Sequence, residues 1–96
     1  MYYIYFLTNQ SNSVLYIGVT DNLNRRLHEY KSEQFDSFTK KYHIHKLVYF
    51  EKYSKINDAI AREKQLKRWK RDKKNFLVET INPLWEDWST HFYNTH

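Results

Sequence analysis

The sequence of 96 residues contains no cysteine, a single glycine and a single proline. Without cysteine, the protein can form neither a disulfide framework nor a metal site with thiolate ligands. Its apolar runs are only a few residues long, which excludes a helix that spans a membrane. No basic segment separates Met1 from the apolar "YYIYFL", so a secretory signal peptide is not expected. We therefore predict one soluble, cytoplasmic domain over residues 1–96.

Basic and aromatic residues, by contrast, are abundant. Sixteen Lys and Arg residues outnumber eleven Asp and Glu residues, the formal net charge is +5, and 19% of the chain is aromatic. This combination suits a polyanionic partner, of which nucleic acid is the commonest. A basic soluble domain with an aromatic core explains the composition equally well, so composition alone leaves both interpretations open.

Two runs of β-branched and aromatic residues near the N-terminus predict a β-hairpin. They cover residues 2–7 and 14–19, and the polar loop "TNQSNS" joins them. The segment "KLVYFEKY" at residues 46–53 predicts a third strand. The proline opens the segment "NPLWEDW", whose Trp85 and Trp88 are expected to pack back onto the domain. With the helices described below, the pattern indicates an α+β fold, a three-stranded and mostly antiparallel sheet flanked by helices.

The loop between the first two runs predicts how these strands pair. In that pairing Tyr5 faces Tyr16, and Tyr3 faces Gly18. Because side chains alternate along a strand, the hairpin has two distinct faces. One face is expected to carry Tyr3, Tyr5, Val14 and Tyr16. The other is expected to carry Tyr2, Ile4, Phe6, Leu15, Ile17 and Val19.

A helix expected over residues 22–31 carries an arginine at the margin of its apolar face. Thr20 or Asp21 is the expected N-cap. The inward stripe consists of Leu23, Leu27 and Tyr30. Arg26 lies at the edge of this stripe, whereas Arg25 points away from it. An inward guanidinium requires an anion, which is either a structural carboxylate or a phosphate that arrives with a ligand.

The segment after Ser54 is strongly helical, with a break expected near Asp72. Its apolar stripe consists of Ala59, Leu66 and Trp69. Its outward face carries the basic residues Lys64, Lys67, Arg71 and Lys74. Glu63 lies at the margin of the apolar stripe, where a carboxylate without a partner is costly. Two interpretations stay open: a structural ion pair with Arg26, or a metal ligand beside a phosphate-binding arginine.

Several short motifs follow one another in a specific order. "YIY" at residues 3–5 is followed by "YIG" at residues 16–18 and then by Arg26. The segments "AIAREKQLKRWKR" and "INPLWEDW" come later. This ordered set resembles the GIY-YIG nuclease superfamily, and its last two elements are similar to the small stand-alone bacterial members. The resemblance covers nearly the whole chain.

The resemblance implies metal-dependent hydrolysis of phosphodiester bonds in DNA, or in RNA. Tyr5 and Tyr16 would line the active site, and one of them, Tyr16 being the first candidate, would act as general base. Arg26 would stabilise the charge that develops at the phosphate. Glu63 would hold a single, weakly bound Mg²⁺ or Mn²⁺. Asn82 corresponds to an asparagine found at the site in some members.

Gly18 matches the glycine of the family's second triplet. A side chain at this position is expected to crowd Tyr3 and the approach to the site. The chain departs from the family pattern where Tyr3 replaces the first glycine and Val19 replaces a lysine of some branches. Tyr30 stands where many members carry a histidine, and it is expected to support the site from behind.

Basic side chains are expected to follow the nucleic-acid backbone. The set consists of Lys64, Lys67, Arg71 and Lys74 on the long helix, with Lys40 and Lys41 in the preceding loop. The alternative is a solvated helix face, which is the commoner role of such a run. His43 and His45 suggest a two-histidine metal site, but no third ligand lies near in sequence. His28 is expected on the outer side of its helix, exposed or touching substrate.

Three functions are compatible with the sequence. The first is an endonuclease, and the second is a nucleic-acid-binding module of the same fold that cuts poorly or not at all. The third is a protein–protein adaptor in which Arg26 and Glu63 form a structural pair. The complete set of motif residues argues against the adaptor, which has no need of all of them.

Overall fold

The computed structural model describes residues 1–33 and 37–93. It contains three strands and five helices, in the order β1 (Tyr2–Thr8), β2 (Leu15–Thr20), α1 (Leu23–Lys31), α2 (Ser37–Lys41), β3 (Lys46–Tyr53), α3 (Ile56–Arg68), α4 (Arg71–Glu79) and α5 (Ser89–Tyr93). Within these ranges, no helix is long and apolar enough to cross a membrane.

The three strands form one antiparallel sheet in the order β2-β1-β3, which confirms the predicted α+β fold. The central strand β1 contributes to a hydrophobic core on each face. On one face α3 and α4 cover a core built from Ile4, Phe6, Ile17, Val48, Tyr49, Ala59, Leu66 and Val78. On the other face α1 covers a core built from Tyr5, Leu7, Leu23, Leu27, Tyr30, Ile44 and Leu47. The predicted assignment of side chains to the two faces of the hairpin is confirmed.

The predicted pairing of β1 with β2 is wrong. Tyr5 pairs with Gly18, and Leu7 pairs with Tyr16. The loop explains the difference, because Asn9 Oδ1 accepts a hydrogen bond from the amide of Val14 at 3.1 Å, so that residue belongs to the turn. The assignment of side chains to the two faces is nevertheless correct. Each pairing partner on β2 shifts by two residues, and side chains alternate between the faces with a period of two.

The start of α1 differs slightly from the prediction. Asn22 is the N-cap, and its Oδ1 accepts a hydrogen bond from the amide of Arg25 at 3.0 Å. Neither of the two expected residues takes this role, because the hydroxyl of Thr20 instead accepts from the amide of Asn22 at 3.1 Å. The predicted inward stripe is confirmed, with all three members buried: Leu23, Leu27 and Tyr30.

The long helical segment is interrupted earlier than expected. α3 ends at Arg68 and α4 begins at Arg71, with extended backbone at Trp69 and Lys70 between them. The half-buried Trp69 ring packs against the core, where it belongs to the predicted stripe. Asp72 therefore lies in the first turn of α4, where the helix dipole favours a carboxylate.

The segment after α4 covers the outer edge of β3. The amide of Trp88 donates to the carbonyl oxygen of Leu47 at 2.7 Å, and Asp87 Oδ1 accepts from the amide of Leu47 at 3.0 Å. Trp85 and Trp88 pack back onto the domain, as predicted, and they contact the cores on opposite faces of the sheet. The hydrogen bonds satisfy both backbone groups of Leu47 on this edge strand, and β2 forms the other edge of the sheet.

Candidate active site

Gly18 lies directly beside the ring of Tyr5. The two residues are paired across β1 and β2, and Tyr5 is only 2% exposed. A Cβ atom at Gly18 would stand 2.9 Å from Cε1 of this ring and would overlap its Cζ and hydroxyl oxygen. The expectation that a side chain would crowd Tyr3 is therefore wrong, because the true register brings Tyr5 to this place. The absent side chain leaves room for the Tyr5 phenol over the edge strand.

One predicted site residue contacts the Tyr5 hydroxyl directly, and three others influence its pKa. It shares a hydrogen bond of 2.9 Å with the hydroxyl of Tyr30. Burial is the main reason that the pKa of Tyr5 rises to about 12. The hydrogen bond with Tyr30 and the positive charge of Arg26 oppose this rise. The neighbouring Tyr16 and Glu63 add to it. The pKa of Tyr5 therefore responds to all four side chains, of which Tyr30 makes the direct contact.

Tyr16 connects this site to the surface. Its ring centroid lies 5.9 Å from that of Tyr30, in an edge-to-face arrangement, and 6.4 Å from that of Phe38. Tyr16 is half-buried, whereas both Tyr5 and Tyr30 are 2% exposed. Of the two tyrosines at the matching positions, Tyr16 is therefore the one that solvent and substrate can reach.

Arg26 and Glu63 both have ionic partners on their own helices. Arg26 Nε lies 3.3 Å from Oε1 of Glu29, and the Arg26 side chain is 23% exposed. Glu63 Oε2 lies 3.6 Å from Nζ of Lys67, and the Glu63 side chain is 16% exposed. Both side chains are thus largely shielded from water. This burial agrees with the predicted position of each at the margin of the apolar face of its helix. Arg25 points to solvent with a side chain that is 59% exposed, so the contrast between the two arginines is confirmed.

A surface pocket of about 360 Å³ opens beside Arg26. It is lined by Tyr2, Val19, Thr20, Asp21, Arg26 and Ile56. The lining combines the guanidinium of Arg26 with the carboxylate of Asp21, the hydroxyl of Thr20 and three apolar or aromatic side chains. A phosphate that approached Arg26 from this direction would have a suitable cationic partner, but it would also meet the negative charge of Asp21.

Comparisons with known proteins agree with this geometry. The family model described as "GIY-YIG catalytic domain" matches residues 1–75. The chain belongs to the GIY-YIG family. It is 38% identical over 81 residues to a UPF0213 protein of Limosilactobacillus reuteri, covering 81% of this chain and 83% of that protein. A UPF0213 protein of Syntrophus aciditrophicus is 33% identical over 78 residues, covering 80% and 88%. The solution NMR structure of a UPF0213 protein from Bacillus halodurans matches with a TM-score of 0.57 and 26% identity, covering all of both chains.

The donor set of this GIY-YIG site suits a weakly held hard cation. In the part of the chain that the structure describes, no three His, Cys, Asp or Glu side chains form a cluster that could hold a metal. Mg²⁺ retains several waters and is commonly bound by one or two carboxylates together with substrate phosphates. The single carboxylate of Glu63, which is 16% exposed and influences the pKa of Tyr5, fits such a site.

The two histidines of the alternative metal site lie elsewhere. His43 is exposed, and its Nδ1 lies 3.2 Å from Oε2 of Glu33. Burial lowers the pKa of His45, and the nearby charge of Lys31 lowers it further. The described residues supply no third ligand for this pair. His28 is exposed on the outer side of α1, as predicted.

Asn82 is held in the C-terminal segment by three hydrogen bonds to the backbone. It is 3% exposed, and its side-chain amide donates to the carbonyl oxygens of Val48 at 2.9 Å and Glu86 at 3.0 Å. Its Oδ1 accepts from the amide of Glu86 at 2.9 Å. These bonds fix the C-terminal turn against β3, on the opposite side of β1 from Gly18. The burial of Asn82 is explained by its hydrogen bonds within this turn and to β3.

The predicted basic face is divided between two helices. Lys64 and Lys67 are exposed on α3. Arg71, by contrast, donates to the carbonyl oxygens of Asn12 at 2.6 Å and Ser13 at 3.2 Å, and so ties α4 to the β1–β2 loop. Burial lowers the pKa of Lys74, with the charges of Arg71 and Lys67 adding to the effect. The prediction of one outward face is wrong for Arg71, because the helix break after Arg68 turns α4 toward this loop.

A part-buried network around Glu51, which includes Arg62 directly before Glu63, was not predicted from the sequence. Arg62 Nε and Nη2 donate to the two carboxylate oxygens of Glu51 at 3.0 and 3.1 Å. The hydroxyls of Tyr49 and Tyr53 donate to the same carboxylate. The signal in the sequence was an acid flanked by tyrosines at alternate positions of a strand, "YFEKY", which places all three on one face. The network fastens α3 to β3.

Proposed function

We propose that this GIY-YIG protein is a divalent-metal-dependent endonuclease that hydrolyses phosphodiester bonds in DNA, with RNA as the second substrate class. The observation that carries the proposal is the environment of Tyr5, whose phenol lies beside Gly18, is hydrogen-bonded to Tyr30 and has a pKa influenced by Tyr16, Arg26 and Glu63. A base, a cation for the transition state and a metal-binding carboxylate are what phosphodiester hydrolysis requires.

Tyr16 is the better candidate for the general base. Tyr5 is buried, hydrogen-bonded to Tyr30 and has a pKa raised to about 12, which makes its phenolate too costly to form. A phenol has an ordinary pKa of about 10, so any tyrosine base requires a nearby positive charge. The accessible Tyr16 would take a proton from the attacking water, and Tyr5 would position it through Tyr30.

Arg26 would act on the phosphate. As water oxygen bonds to phosphorus and the leaving oxygen departs, negative charge grows on the non-bridging oxygens. The Arg26 guanidinium, at the wall of its pocket, would donate hydrogen bonds to these oxygens. When bound at Glu63, Mg²⁺ or Mn²⁺ would supply Lewis-acid stabilisation of the same charge.

The proposal is tested by cleavage of supercoiled, branched and single-stranded DNA with Mn²⁺ or with a chelator. We expect wild-type protein to nick DNA only with the metal, and Glu63→Ala to lose this activity while still binding DNA. Equal cleavage by the variant would remove Glu63 from the mechanism. Salt-sensitive binding without cleavage of any substrate would instead favour the second candidate, a nucleic-acid-binding module of the same fold.

A further inference from the structure

Two aromatic side chains are exposed at α2, namely Phe38 within the helix and Tyr42 directly after its last residue. Phe38 is 46% exposed and Tyr42 is 39% exposed, and their ring centroids lie 5.0 Å apart. The opposite side of this short segment is anchored, because Thr39 and Ile44 are buried and the amide of Ile44 donates to the carbonyl oxygen of Thr39 at 2.9 Å. We call Phe38 and Tyr42 the aromatic platform.

The aromatic platform is continuous with the candidate active site. The centroid of Phe38 lies 6.4 Å from that of Tyr16, the proposed base. Tyr16 in turn packs against Tyr30, which shares its hydroxyl hydrogen bond with Tyr5. A row of rings therefore extends from the buried phenol to the protein surface. A nucleotide that contacted the aromatic platform would lie next to a phosphate that reaches Tyr16.

Two exposed lysines lie beside the aromatic platform. Lys40 and Lys41 are exposed on the same helix, and Lys41 Nζ lies 5.4 Å from the centroid of the Tyr42 ring. Exposed aromatic rings beside lysines are the combination with which proteins bind single-stranded nucleic acid, since the rings stack on bases and the lysines contact phosphates. Bases inside a duplex are stacked on each other and offer no free face.

We propose that the aromatic platform stacks unpaired bases next to the phosphate to be cleaved, with Lys40 and Lys41 on the flanking phosphates. The substrate class is accordingly a single strand, or an unpaired segment of a branched nucleic acid. The assignment of a substrate class rests on the proposed nuclease function. The stacking itself does not, because it can be measured without cleavage.

The test measures equilibrium binding by fluorescence anisotropy, in chelator and at one fixed salt concentration. The probes are oligothymidylate, an abasic strand of equal length that keeps the phosphates, and a duplex of equal length. We expect Phe38→Ala to weaken binding of oligothymidylate about five-fold or more, with little change for the abasic strand. Phe38→Trp should retain the wild-type preference. Phe76→Ala, which removes another exposed aromatic ring on α4, is the matched control.

Each outcome of this test bears on the aromatic platform. If Phe38→Ala lost affinity equally for all three probes, base stacking would be overturned. A change in charge contacts or misfolding would then explain the loss. Unchanged affinity of both Phe38→Ala and Tyr42→Ala would overturn it as well. A selective loss would support it, whether or not the protein cleaves any substrate. Absence of cleavage alone would contradict only the nuclease proposal.

Discussion

At the scale of single residues, the site depends on a missing side chain. Gly18 lies on an edge strand, where glycine normally lowers stability, yet here it accommodates the ring of Tyr5. Tyr5 cannot move away easily, since its ring is buried and its hydroxyl is held by Tyr30. The single glycine of the chain is thus explained by one close contact.

We expect Gly18→Ala to destabilise the protein by about 1–3 kcal/mol, because the new methyl group overlaps the Tyr5 ring. Denaturant unfolding measures the change. In a Tyr5→Ala background the added cost should be smaller, since the ring that the methyl group overlaps is gone. A Gly18→Ala variant as stable as wild type would show that the Tyr5 ring can move aside. The contact would then not explain the glycine at this position.

The two adjacent arginines of α1 provide a second prediction at this scale. Arg26→Ala should slow DNA cleavage by about a hundred-fold or more, the cost of losing one donor to transition-state charge. Arg25→Ala, which removes a side chain 59% exposed, should leave the rate close to that of wild type. The comparison uses single-turnover cleavage with Mn²⁺. If Arg25→Ala were the more damaging variant, the assignment of Arg26 to the site would be wrong.

At the scale of secondary-structure elements, the network around Glu51 determines how α3 lies on the sheet. Arg62, which binds Glu51 with two hydrogen bonds, directly precedes Glu63 in the helix. Fixing the rotation of α3 at Arg62 also fixes the direction in which Glu63 points. Arg62 and Glu51 are therefore positioning residues for the carboxylate proposed to hold the metal.

This network predicts a pH dependence of stability. Burial alone raises the pKa of Glu51, but the hydrogen bonds from Arg62, Tyr49 and Tyr53 outweigh it and hold that pKa below its ordinary value. A carboxyl whose pKa is lowered by folding stabilises the protein above its unfolded pKa, and this stability is lost as the pH falls through the folded value.

We therefore expect Glu51→Gln to lower the free energy of unfolding at neutral pH by about 1–3 kcal/mol. The difference from wild type should shrink as the pH falls below the ordinary carboxyl pKa and through the lower pKa that Glu51 has in the folded protein. Urea unfolding over a pH series measures both. Glu86→Gln, at an exposed carboxyl, serves as the control. A difference that did not change with pH would show that the ionised form of Glu51 is not what stabilises α3.

At the scale of the whole molecule, the two edges of the sheet have different tasks. The C-terminal segment closes the edge at β3 through Asn82, Asp87 and Trp88. The edge at β2 carries Tyr16 and Gly18, with α3 on one face of the sheet and α1 on the other. In the proposed function, this is the edge that the substrate would reach.

The sequence determined those features that depend on neighbours along the chain. Alternation assigned each hairpin side chain to its face, helical spacing identified the buried stripe of α1, and the order of short motifs indicated the family. These patterns repeat with the period of the strand or helix itself, so they can be recognised before any tertiary contact is known.

The tertiary structure decided what depends on residues far apart in the chain. The register brought Tyr5, rather than Tyr3, to Gly18. Helical spacing predicts that the Arg71 side chain points to solvent. In the structure its guanidinium instead binds a loop about sixty residues earlier in the chain. The exposure of Phe38 became visible only when its helix was placed beside Tyr16. Such contacts follow from how elements pack together, and local periodicity carries no information about that packing.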